Sequence, residues 1–574
     1  MSKFEKLELT WVGKNKPQKL EPRILLEDSD NSYHSSTRIS ENDQFNNRLI
    51  FGDNLLALKA LEDEYNEKVQ CIYVDPPFNT GQAFEHYEDG LEHSLWLSLM
   101  RDRFIILRNL LNESGTLFVH IDDNELGRLL VLLDEIMGEK NRISIITFKQ
   151  GSVTGHKAIN PGPITISNYI LVYAKNKSKW RFNDVYVPKS RDKRYAQYIT
   201  NIDKPYDQWE ICTLNDAIAS KYGLEQKNVK KQLGNKYEEI VENFVLENSS
   251  SVIRLARPDY NNVSAAAREL IDRSKEHPNK VFLLERENHP PMFLIRGERI
   301  LFYKDKLKLI DGSYVTGEKI TNIWDDLLSN NLHKEGGVSF PKGKKPEALI
   351  KRVLEIATNP GDIVLDSFAG SGTTGAVAHK MGRQWIMVEL GDHCHTHIIP
   401  RLKSVIDGED QSGITRIVNW KGGGGFRYYR LAPSLLEKDK YGNWIISKEY
   451  NAAMLAEAMC KHKGFKYLPS ETIFWKQGYS TENDFIYTTT QLINREIADQ
   501  IQEQMKEEET LIICCKAFTV NSNDYPNITF EKIPTSILKN CEFGKDDYSL
   551  EIEGLPKVEM YEQIDIFEGE VDEE

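Results

Sequence analysis

Two groups of residues in this sequence have the composition and spacing to carry out chemistry, and the first is DPPFNTG at residues 75–81. It follows Val69–Val74, an apolar run that predicts a buried strand. Two successive prolines fix two φ angles, so the corner is stiff and can aim the Asp75 carboxylate and the Pro76 carbonyl at one point. Two converging acceptors suit an amino group with two hydrogens, and Phe78 offers a flat face to a planar base. A rigid strand-to-loop corner with no chemical role explains Asp-Pro-Pro equally well.

The second group is DSFAGSGTT at residues 366–374, which a predicted strand enters and a predicted helix leaves. Its glycines, Gly370 and Gly372, let the backbone approach a cofactor closely. Glu389 ends the following strand, where an acid typically binds the ribose hydroxyls of a nucleoside. The turn differs from Gly-x-Gly-x-x-Gly, and no phosphate-binding lysine follows it. This pattern favours a nucleoside ligand with an amino-acid tail over a nucleotide phosphate.

The elements around both groups alternate between strand and helix, which predicts a parallel, doubly wound α/β sheet. We expect strands near 48–51, 69–74, 116–121, 363–366 and 385–389, and helices near 55–61, 92–111, 124–137, 347–357 and 374–381. The pattern loosens from about 145 to 340. Residues 431–574 predict a further unit, with a helix near 491–507 and strands near 511–518 and 528–533.

Composition and charge restrict the class of protein. The chain has 574 residues, 40% of them hydrophobic, and we find no apolar run of the roughly 18 residues that a membrane span needs. The first residues lack the apolar core of a secretory signal, and the seven cysteines form no CxxC pair, so we expect a cytoplasmic protein.

The net charge of −14 hides a strongly basic stretch. Residues 175–204 hold nine Lys or Arg and three Asp, with aromatic residues between them at positions 180, 182, 186, 195 and 198. Such a stretch suits phosphate contact and base stacking, although a solvated surface explains it as well. Residues 551–574 hold ten acidic residues and one lysine, and we interpret that run as a solvated face.

The two motifs together resemble the catalytic and cofactor motifs of DNA methyltransferases that modify amino groups. The catalytic motif comes first and the cofactor motif nearly 300 residues later. This permuted order resembles the beta group of adenine methyltransferases, and within it the modification subunits of type III restriction–modification systems. NRLIFGDNL, GTLFVHIDDNE and KKPEALIKRVLEIATNPGDIVLDSFAGSG support the resemblance. It covers about residues 47–150 and 340–430.

The resemblance implies a role for individual residues. Asp75 and Pro76 correspond to the residues that bind the target amino group, next to Pro77, and Phe78 corresponds to the stacking aromatic, which is more commonly tyrosine. Lys345 opens the segment beside the methionine end of S-adenosylmethionine. The remaining residues implied to bind this cofactor are Asp53, Asp366, Phe368, Ala369, Gly370, Ser371, Gly372, Thr373 and Glu389.

The implied fold is a Rossmann-like doubly wound sheet of an S-adenosylmethionine-dependent methyltransferase in permuted order, with an inserted target-recognition region and a C-terminal α/β unit. We expect five parts: an N-terminal arm with little structure (1–45), a catalytic half (46–145), the target-recognition insertion (146–340), a cofactor-binding half (341–430) and a C-terminal domain (431–574).

The implied activity is methyl transfer to N6 of adenine, flipped out of double-stranded DNA. Amino-methylation of cytosine, a solitary methyltransferase and a non-catalytic nucleic-acid-binding protein remain alternatives. The implied partners are a second copy of the chain and an ATP-dependent restriction subunit, with no membrane. We expect the histidines at 393, 395 and 397 to bind no metal, and Gly422–Gly425 to form a flexible connector.

Overall fold

We describe the protein from a computed structural model. The structure describes residues 8–15, 20–41, 43–79, 92–151, 163–287, 289–327, 332–340, 343–533, 535 and 537. Within them, no helix combines the length and apolar character needed to cross a membrane. The chain forms two compact units, one of residues 1–183 with 322–574 and the other of residues 184–321.

The strands in chain order are β1 (Leu25–His34), β2 (Asn47–Phe51), β3 (Val69–Val74), β4 (Leu111–Ile121), β5 (Arg142–Lys149), β6 (Ser167–Ala174), β7 (Tyr186–Pro188), β8 (Gln197–Ile199), β9 (Ile211–Thr213), β10 (Val252–Ala256), β11 (Phe282–Leu284), β12 (Met292–Ile295), β13 (Glu298–Phe302), β14 (Leu307–Ile310), β15 (Ser313–Lys319), β16 (Ile323–Trp324), β17 (Ile363–Asp366), β18 (Gln384–Glu389), β19 (Gly425–Leu431), β20 (Leu436–Lys438), β21 (Trp444–Ile446), β22 (Lys466–Tyr467), β23 (Gly478–Thr481), β24 (Asp484–Ile493), β25 (Thr510–Phe518) and β26 (Ile528–Lys532).

The helices in chain order are α1 (Asn54–Tyr65), α2 (His93–Leu110), α3 (Asp123–Leu133), α4 (Leu214–Tyr222), α5 (Val229–Leu233), α6 (Tyr237–Glu247), α7 (Ala265–Glu276), α8 (Glu347–Ala357), α9 (Thr373–Lys380), α10 (Ile399–Ile406), α11 (Ala452–Lys463) and α12 (Arg495–Gln504).

The main sheet has ten strands in the described part of the chain, in the order β1-β19-β2-β18-β17-β3-β4-β6-β5-β16. The run from β19 to β4 is parallel throughout. Every residue of β3 is buried, as expected for a strand covered on both faces. Because β17 and β18 lie between β2 and β3, two stretches nearly 300 residues apart in sequence form one continuous sheet. The predicted permuted α/β fold is confirmed.

The first 45 residues contain more order than the sequence predicted. Strand β1 pairs antiparallel with β19 and forms an edge of the main sheet. Its residues are all half-buried or exposed, because an edge strand with one face to solvent tolerates Asp, Ser and Asn. The prediction of an arm with little structure is wrong for residues 25–34.

The inserted compact unit, residues 184–321, is shorter than the predicted insertion of residues 146–340. Strands β5 and β6 form an antiparallel pair within the main sheet, and β16 pairs with β5. Residues 184–321 form the separate unit, with the six-stranded sheet β11-β12-β13-β10-β8-β9 and the three-stranded sheet β14-β15-β7 in its described residues. The mixed polar composition of residues 146–183 masked the apolar runs of β5 and β6.

The C-terminal part contains the sheet β22-β23-β24-β25-β26, in which β24, β25 and β26 are parallel. Strand β24 runs to Ile493, so α12 starts at Arg495, later than the predicted 491. The acidic run at 551–574 lies outside the described residues.

Candidate active site

The carboxyl ends of four neighbouring parallel strands bring four acidic residues to one edge of the main sheet. Asp53 lies just after β2 and Asp75 directly follows β3, while Asp366 ends β17 and Glu389 ends β18. Open α/β sheets place their ligands at this edge. Both predicted motifs therefore meet there, although nearly 300 residues separate them in sequence.

The glycine-rich turn after β17 is shaped by its own first residue. Asp366 accepts hydrogen bonds from the backbone N–H of Phe368 at 2.9 Å and from Thr374 Oγ1 at 2.6 Å. Burial raises the pKa of the Asp366 carboxyl to about 7. Gly370 and Gly372 have φ of +51° and +73°, in the left-handed region that glycine adopts without strain. The turn therefore needs glycine at both positions.

Glu389 closes this turn from the neighbouring strand. Its Oε2 accepts the N–H of Gly370 at 2.7 Å, and its Oε1 accepts the N–H groups of Leu390 and Gly391 at 2.9 and 3.0 Å. His393 Nε2 lies 3.1 Å from Oε1. Glu389 is 2% exposed. Backbone N–H groups of the glycine-rich turn and of the residues after β18 hold its carboxylate in place.

A hollow with about 260 Å³ of empty volume, part of it open to solvent, lies between β2, β17 and β18. Its lining residues are Asp53, Asn54, Ser367, Phe368, Val388, Glu389 and Leu390. Ser367 Oγ is buried and has no hydrogen-bond partner among the described residues. The hollow thus combines two acids, an aromatic ring and an unsatisfied hydroxyl, as a polar nucleoside site requires.

Asp53 is held by a residue that the sequence analysis missed. It caps α1 by accepting the N–H groups of Leu55 and Leu56, and Arg103 Nη2 donates to its Oδ2 at 3.2 Å. Arg103 Nε also donates to Asn54 Oδ1 at 2.5 Å, and Asn54 donates to Ser367 O at 2.8 Å. Burial raises the pKa of Asp53, and the Arg103 charge opposes this shift. The available sequence signal was the spacing of Arg103, four residues after Leu99 and four before Leu107, which puts a charged residue on the apolar face of α2.

The far side of the glycine turn packs on a buried ionic cluster. Arg401 Nη1 donates to Thr373 Oγ1 at 2.8 Å and to Ser371 O at 3.2 Å, and its Nη2 donates to Glu347 Oε1 at 2.8 Å. Lys380 bridges Glu347 and Asp410 at 2.8 and 2.6 Å. Ser371 and Thr373 therefore hold the turn from behind, and neither lines the hollow.

The Asp-Pro-Pro corner forms the second part of the site. Asp75 Oδ2 lies 2.6 Å from Lys345 Nζ, whereas Asp75 Oδ1 is buried without a hydrogen-bond partner among the described residues. Burial raises the pKa of Asp75, and the Lys345 charge opposes that shift. Trp96 Nε1 donates to the carbonyl of Pro77 at 2.9 Å, which fixes the corner. Pro76 is buried beneath it.

Phe78 stacks on His120, with ring centroids 6.0 Å apart and an interplanar angle of 19°. His120 is fully buried: its Nδ1 lies 3.0 Å from the Tyr73 hydroxyl, and its Nε2 lies 3.3 Å from Asn168 Nδ2. Because the amide nitrogen of Asn168 can only donate, Nε2 of His120 accepts and Nδ1 carries the proton. Burial holds the pKa of His120 well below its usual value, so the ring is neutral.

Comparison with known proteins identifies the family. Residues 69–399, more than half of the chain, match the family described as DNA methylase. The chain belongs to this DNA methylase family.

Three curated relatives indicate the range of this likeness. The probable type III restriction-modification enzyme HindVI Mod subunit of Haemophilus influenzae is 34% identical over 428 aligned positions, and the match covers 69% of this chain and 55% of the relative. The type III restriction-modification enzyme EcoP15I Mod subunit of Escherichia coli is 26% identical over 512 aligned positions, with 76% of this chain and 73% of the relative covered. The type II methyltransferase M.EcaI of Enterobacter cloacae is 26% identical over 395 aligned positions, with 66% of this chain and 75% of the relative covered. The aligned part of the chain thus spans about half the length of the first of these relatives.

The hollow in this DNA methylase contains three of the residues predicted to bind the cofactor, namely Asp53, Phe368 and Glu389. The remaining predicted residues of the turn shape it or support it from behind. Thr80 and Gly81, the last residues of the catalytic motif, lie outside the described residues. Lys345 contacts Asp75 rather than the hollow.

The three histidines after β18 in this DNA methylase have separate partners. His393 faces Glu389, His395 Nε2 lies 2.8 Å from the Tyr428 hydroxyl, and His397 Nε2 lies 3.0 Å from the carbonyl of Ser339. Across the described residues, no three His, Cys, Asp or Glu side chains come together in a way that could hold a metal ion.

The glycine run 422–425 is closely packed, contrary to the prediction of a flexible connector. A Cβ on Gly422 would lie 2.8 Å from Ile406 O, and one on Gly424 would lie 2.7 Å from Gln44 O. His379 Nε2 lies 2.8 Å from Gly423 O. The run needs glycine because other backbone segments occupy the positions that Cβ atoms would take.

Most of the basic stretch 175–204 lies beside acidic partners. Within the main unit, Lys175 pairs with Glu67 at 3.1 Å and Lys179 pairs with Glu113 at 3.2 Å. Within the unit 184–321, Lys193 pairs with Glu238 at 3.1 Å. Tyr195 is buried in the core of that unit. The positive charge of this stretch is thus partly balanced, which weakens the interpretation of the stretch alone as a phosphate-binding surface.

Proposed function

We propose that this DNA methylase transfers a methyl group from S-adenosylmethionine to N6 of adenine in double-stranded DNA, as the modification subunit of a type III restriction–modification system. The observation that carries the proposal is the meeting of the Asp75 corner and the glycine-rich turn at the carboxyl ends of the adjacent strands β3 and β17. The corner would offer the Asp75 carboxylate and the Pro76 carbonyl as acceptors for an amino group, and the turn borders the hollow that Asp53, Phe368 and Glu389 line.

The hollow suits the nucleoside part of the cofactor. Glu389 and Asp53 line it and would accept hydrogen bonds from ribose hydroxyls, and Phe368 would offer an apolar face to a planar ring. The Ser367 hydroxyl, which has no hydrogen-bond partner among the described residues, would provide a further polar contact. When bound, the cofactor would supply a sulfonium methyl group. Its transfer to the amino nitrogen would break the carbon–sulfur bond and leave a neutral thioether, and the proton lost from the nitrogen would pass to water.

The Asp75 corner suits the amino group of a flipped base. The Oδ1 of Asp75, which has no hydrogen-bond partner among the described residues, is a buried acceptor that a donor from a ligand would satisfy. Hydrogen bonds from the amino group to Asp75 and to the Pro76 carbonyl would localise the nitrogen lone pair, which the ring otherwise withdraws. Phe78, braced by His120, would stack on the base and return about 1–3 kcal/mol of the cost of flipping.

The first test is methyl transfer itself. Purified protein, cofactor with a labelled methyl group and duplex DNA should yield labelled N6-methyladenosine after digestion to nucleosides. Labelled cytosine would refute the choice of adenine, and no labelled nucleoside would refute the enzyme. Asp75→Ala should abolish transfer while calorimetry shows cofactor binding largely unchanged, whereas Asp63→Ala, on the exposed face of α1, should change neither. Loss of cofactor binding with turnover intact would contradict the role of Asp75.

The choice of DNA sequence is proposed to lie in residues 184–321, the separate compact unit. Phosphate contacts would supply affinity, and contacts to base edges would supply specificity. Replacing this unit with that of a relative should change the methylated sequence in the DNA of expressing cells. An unchanged sequence would contradict the assignment.

The proposed assembly is a homodimer that joins an ATP-dependent restriction subunit. The likeness to two type III Mod subunits supports it. Light scattering should give twice the chain mass of 66.1 kDa. A monomer that methylates at full rate and retains no partner when expressed with its genomic neighbours would support a solitary enzyme instead, as the likeness to a type II methyltransferase also allows.

A further inference from the structure

Lys345 contacts both side chains assigned to the target base. Its Nζ lies 2.6 Å from Asp75 Oδ2 and 5.1 Å from the centroid of the Phe78 ring. The residue is 7% exposed and lies two positions before α8, where Pro346 fixes the start of the helix. A buried ammonium group at this point needs a specific reason, because leaving water is costly for a charge.

The charges around Asp75 show what Lys345 contributes. Asp366 on β17, whose pKa is about 7, repels the Asp75 carboxylate only when it is ionised, and the Tyr73 hydroxyl on β3 also faces this region. His120 on β4 is neutral. Among the described groups that act on Asp75, Lys345 is the one cation.

The protonation state of Asp75 decides whether it can serve the amino group. A carboxylate offers only acceptors, whereas a carboxylic acid presents an O–H donor on one oxygen. A donor facing an amino hydrogen would repel it and would leave the lone pair of the nitrogen delocalised. Burial alone favours the acid form.

We propose that Lys345 is a positioning residue for methyl transfer: it keeps Asp75 in the carboxylate form, oriented toward the target amino group, and it does not bind the cofactor. The inference rests on the proposed function and deepens it. The same ammonium lies near the Phe78 ring, where the attraction between cation and ring holds the stacking side chain beside Asp75. One side chain thus couples the two residues that would bind the base.

The test compares wild type with Lys345→Met, Lys345→Gln and Lys345→Arg. We would measure kcat against pH, together with the dissociation constant of the cofactor, for each variant that retains the wild-type melting temperature. The acidic limb of the kcat profile should move up by at least about one pH unit in the Met and Gln variants, because a nearby cation lowers a carboxyl pKa by roughly 1–3 units. Activity should recover at high pH, Arg should restore the wild-type limb, and cofactor affinity should stay within about twofold of wild type.

Two outcomes would overturn the inference. One is a limb at the wild-type position with a cofactor dissociation constant raised about tenfold, which would make Lys345 a cofactor ligand. The other is a loss of activity that is equal at every pH. Absence of transfer by the wild-type chain would refute the proposed function and this inference with it, whereas wild-type transfer with either outcome would refute the inference alone.

Discussion

The backbone N–H of Gly370 donates a hydrogen bond to Oε2 of Glu389 across 2.7 Å. The acid that the sequence predicts as a ribose ligand therefore also fixes the glycine-rich turn. Each carboxylate oxygen can accept more than one hydrogen bond, so the two roles are compatible. The consequence is that Glu389 contributes to the cofactor site before any cofactor arrives.

Replacement of Glu389 should separate these roles. Glu389→Ala removes the acceptor for Gly370 and the proposed ribose contact, and should raise the cofactor dissociation constant by roughly tenfold or more. Glu389→Gln keeps one acceptor oxygen and should raise the cofactor dissociation constant by a smaller factor. Calorimetric titration measures both, with Glu409→Ala on the surface as the control. Equal losses from Ala and Gln would mean that the charge alone matters.

The conformation of Gly372 allows a second prediction. Its φ is +73°, and a Cβ there would lie 3.0 Å from Ile398 Cγ2. Gly372→Asp should abolish cofactor binding, because it strains the turn and adds a charge. Gly361→Asp is the matched control, since Gly361 has φ +85° and no atom within 4 Å of its Cβ position. Normal cofactor binding by the Gly372 variant would contradict the location of the site.

The buried Asp366 carboxyl predicts how stability depends on pH. Its pKa in the folded protein is about 7, above its usual value of 3.8, so the folded state holds a proton that the unfolded state has released. Stability from this group is full below pH 3.8 and falls as the pH rises through about 7, by about 2 kcal/mol between pH 5 and 7.

Asp366→Asn should remove this part of the pH dependence. The amide can still accept from Phe368 N and donate to Thr374 Oγ1. Thermal unfolding at pH 5 and pH 8 would show a smaller difference between the two melting temperatures than in wild type. Asp325→Asn, at an exposed acid, should leave the wild-type difference unchanged. An equal difference in both variants would mean that Asp366 titrates normally.

The glycine run 422–425 gives a prediction about stability alone. Gly424→Ala should destabilise the protein by about 2 kcal/mol or more, because the methyl group meets Gln44 O and the residue has φ +76°. Gly442 has φ +82° and open space around its Cβ position. Gly442→Ala should therefore lower the free energy of unfolding by only about 1 kcal/mol, the cost of a left-handed backbone conformation for alanine. Urea unfolding of both variants provides the comparison. Equal costs would indicate that Gln44 moves aside.

The sequence predicted the central sheet because its strands are apolar runs that end in acids or turns. Helix α8 was predicted with its observed ends, since apolar residues recur on one face and Pro346 precedes it. Strand β1 was missed because an edge strand needs no apolar face, and the β5–β6 pair because polar neighbours surround it.

Contacts between distant side chains could not be predicted in the same way. Arg103 and Asp53 are 50 residues apart, and Lys345 and Asp75 are 270 apart. Each of these pairs depends on tertiary geometry that no local spacing encodes. The family resemblance gave Lys345 a role near the cofactor, whereas its position in the fold places it on Asp75.

The order of strands in the main sheet has a consequence for synthesis of the chain. In the folded sheet, β17 and β18 lie between β2 and β3. The ribosome makes β17 and β18 nearly 300 residues after β3. At roughly 5–20 residues per second, the facing edges of β2 and β3 wait for about 15–60 s before their partners exist. Their unpaired backbone groups could bind other strands during that interval. The nascent chain is therefore expected to depend on chaperones until the cofactor half emerges.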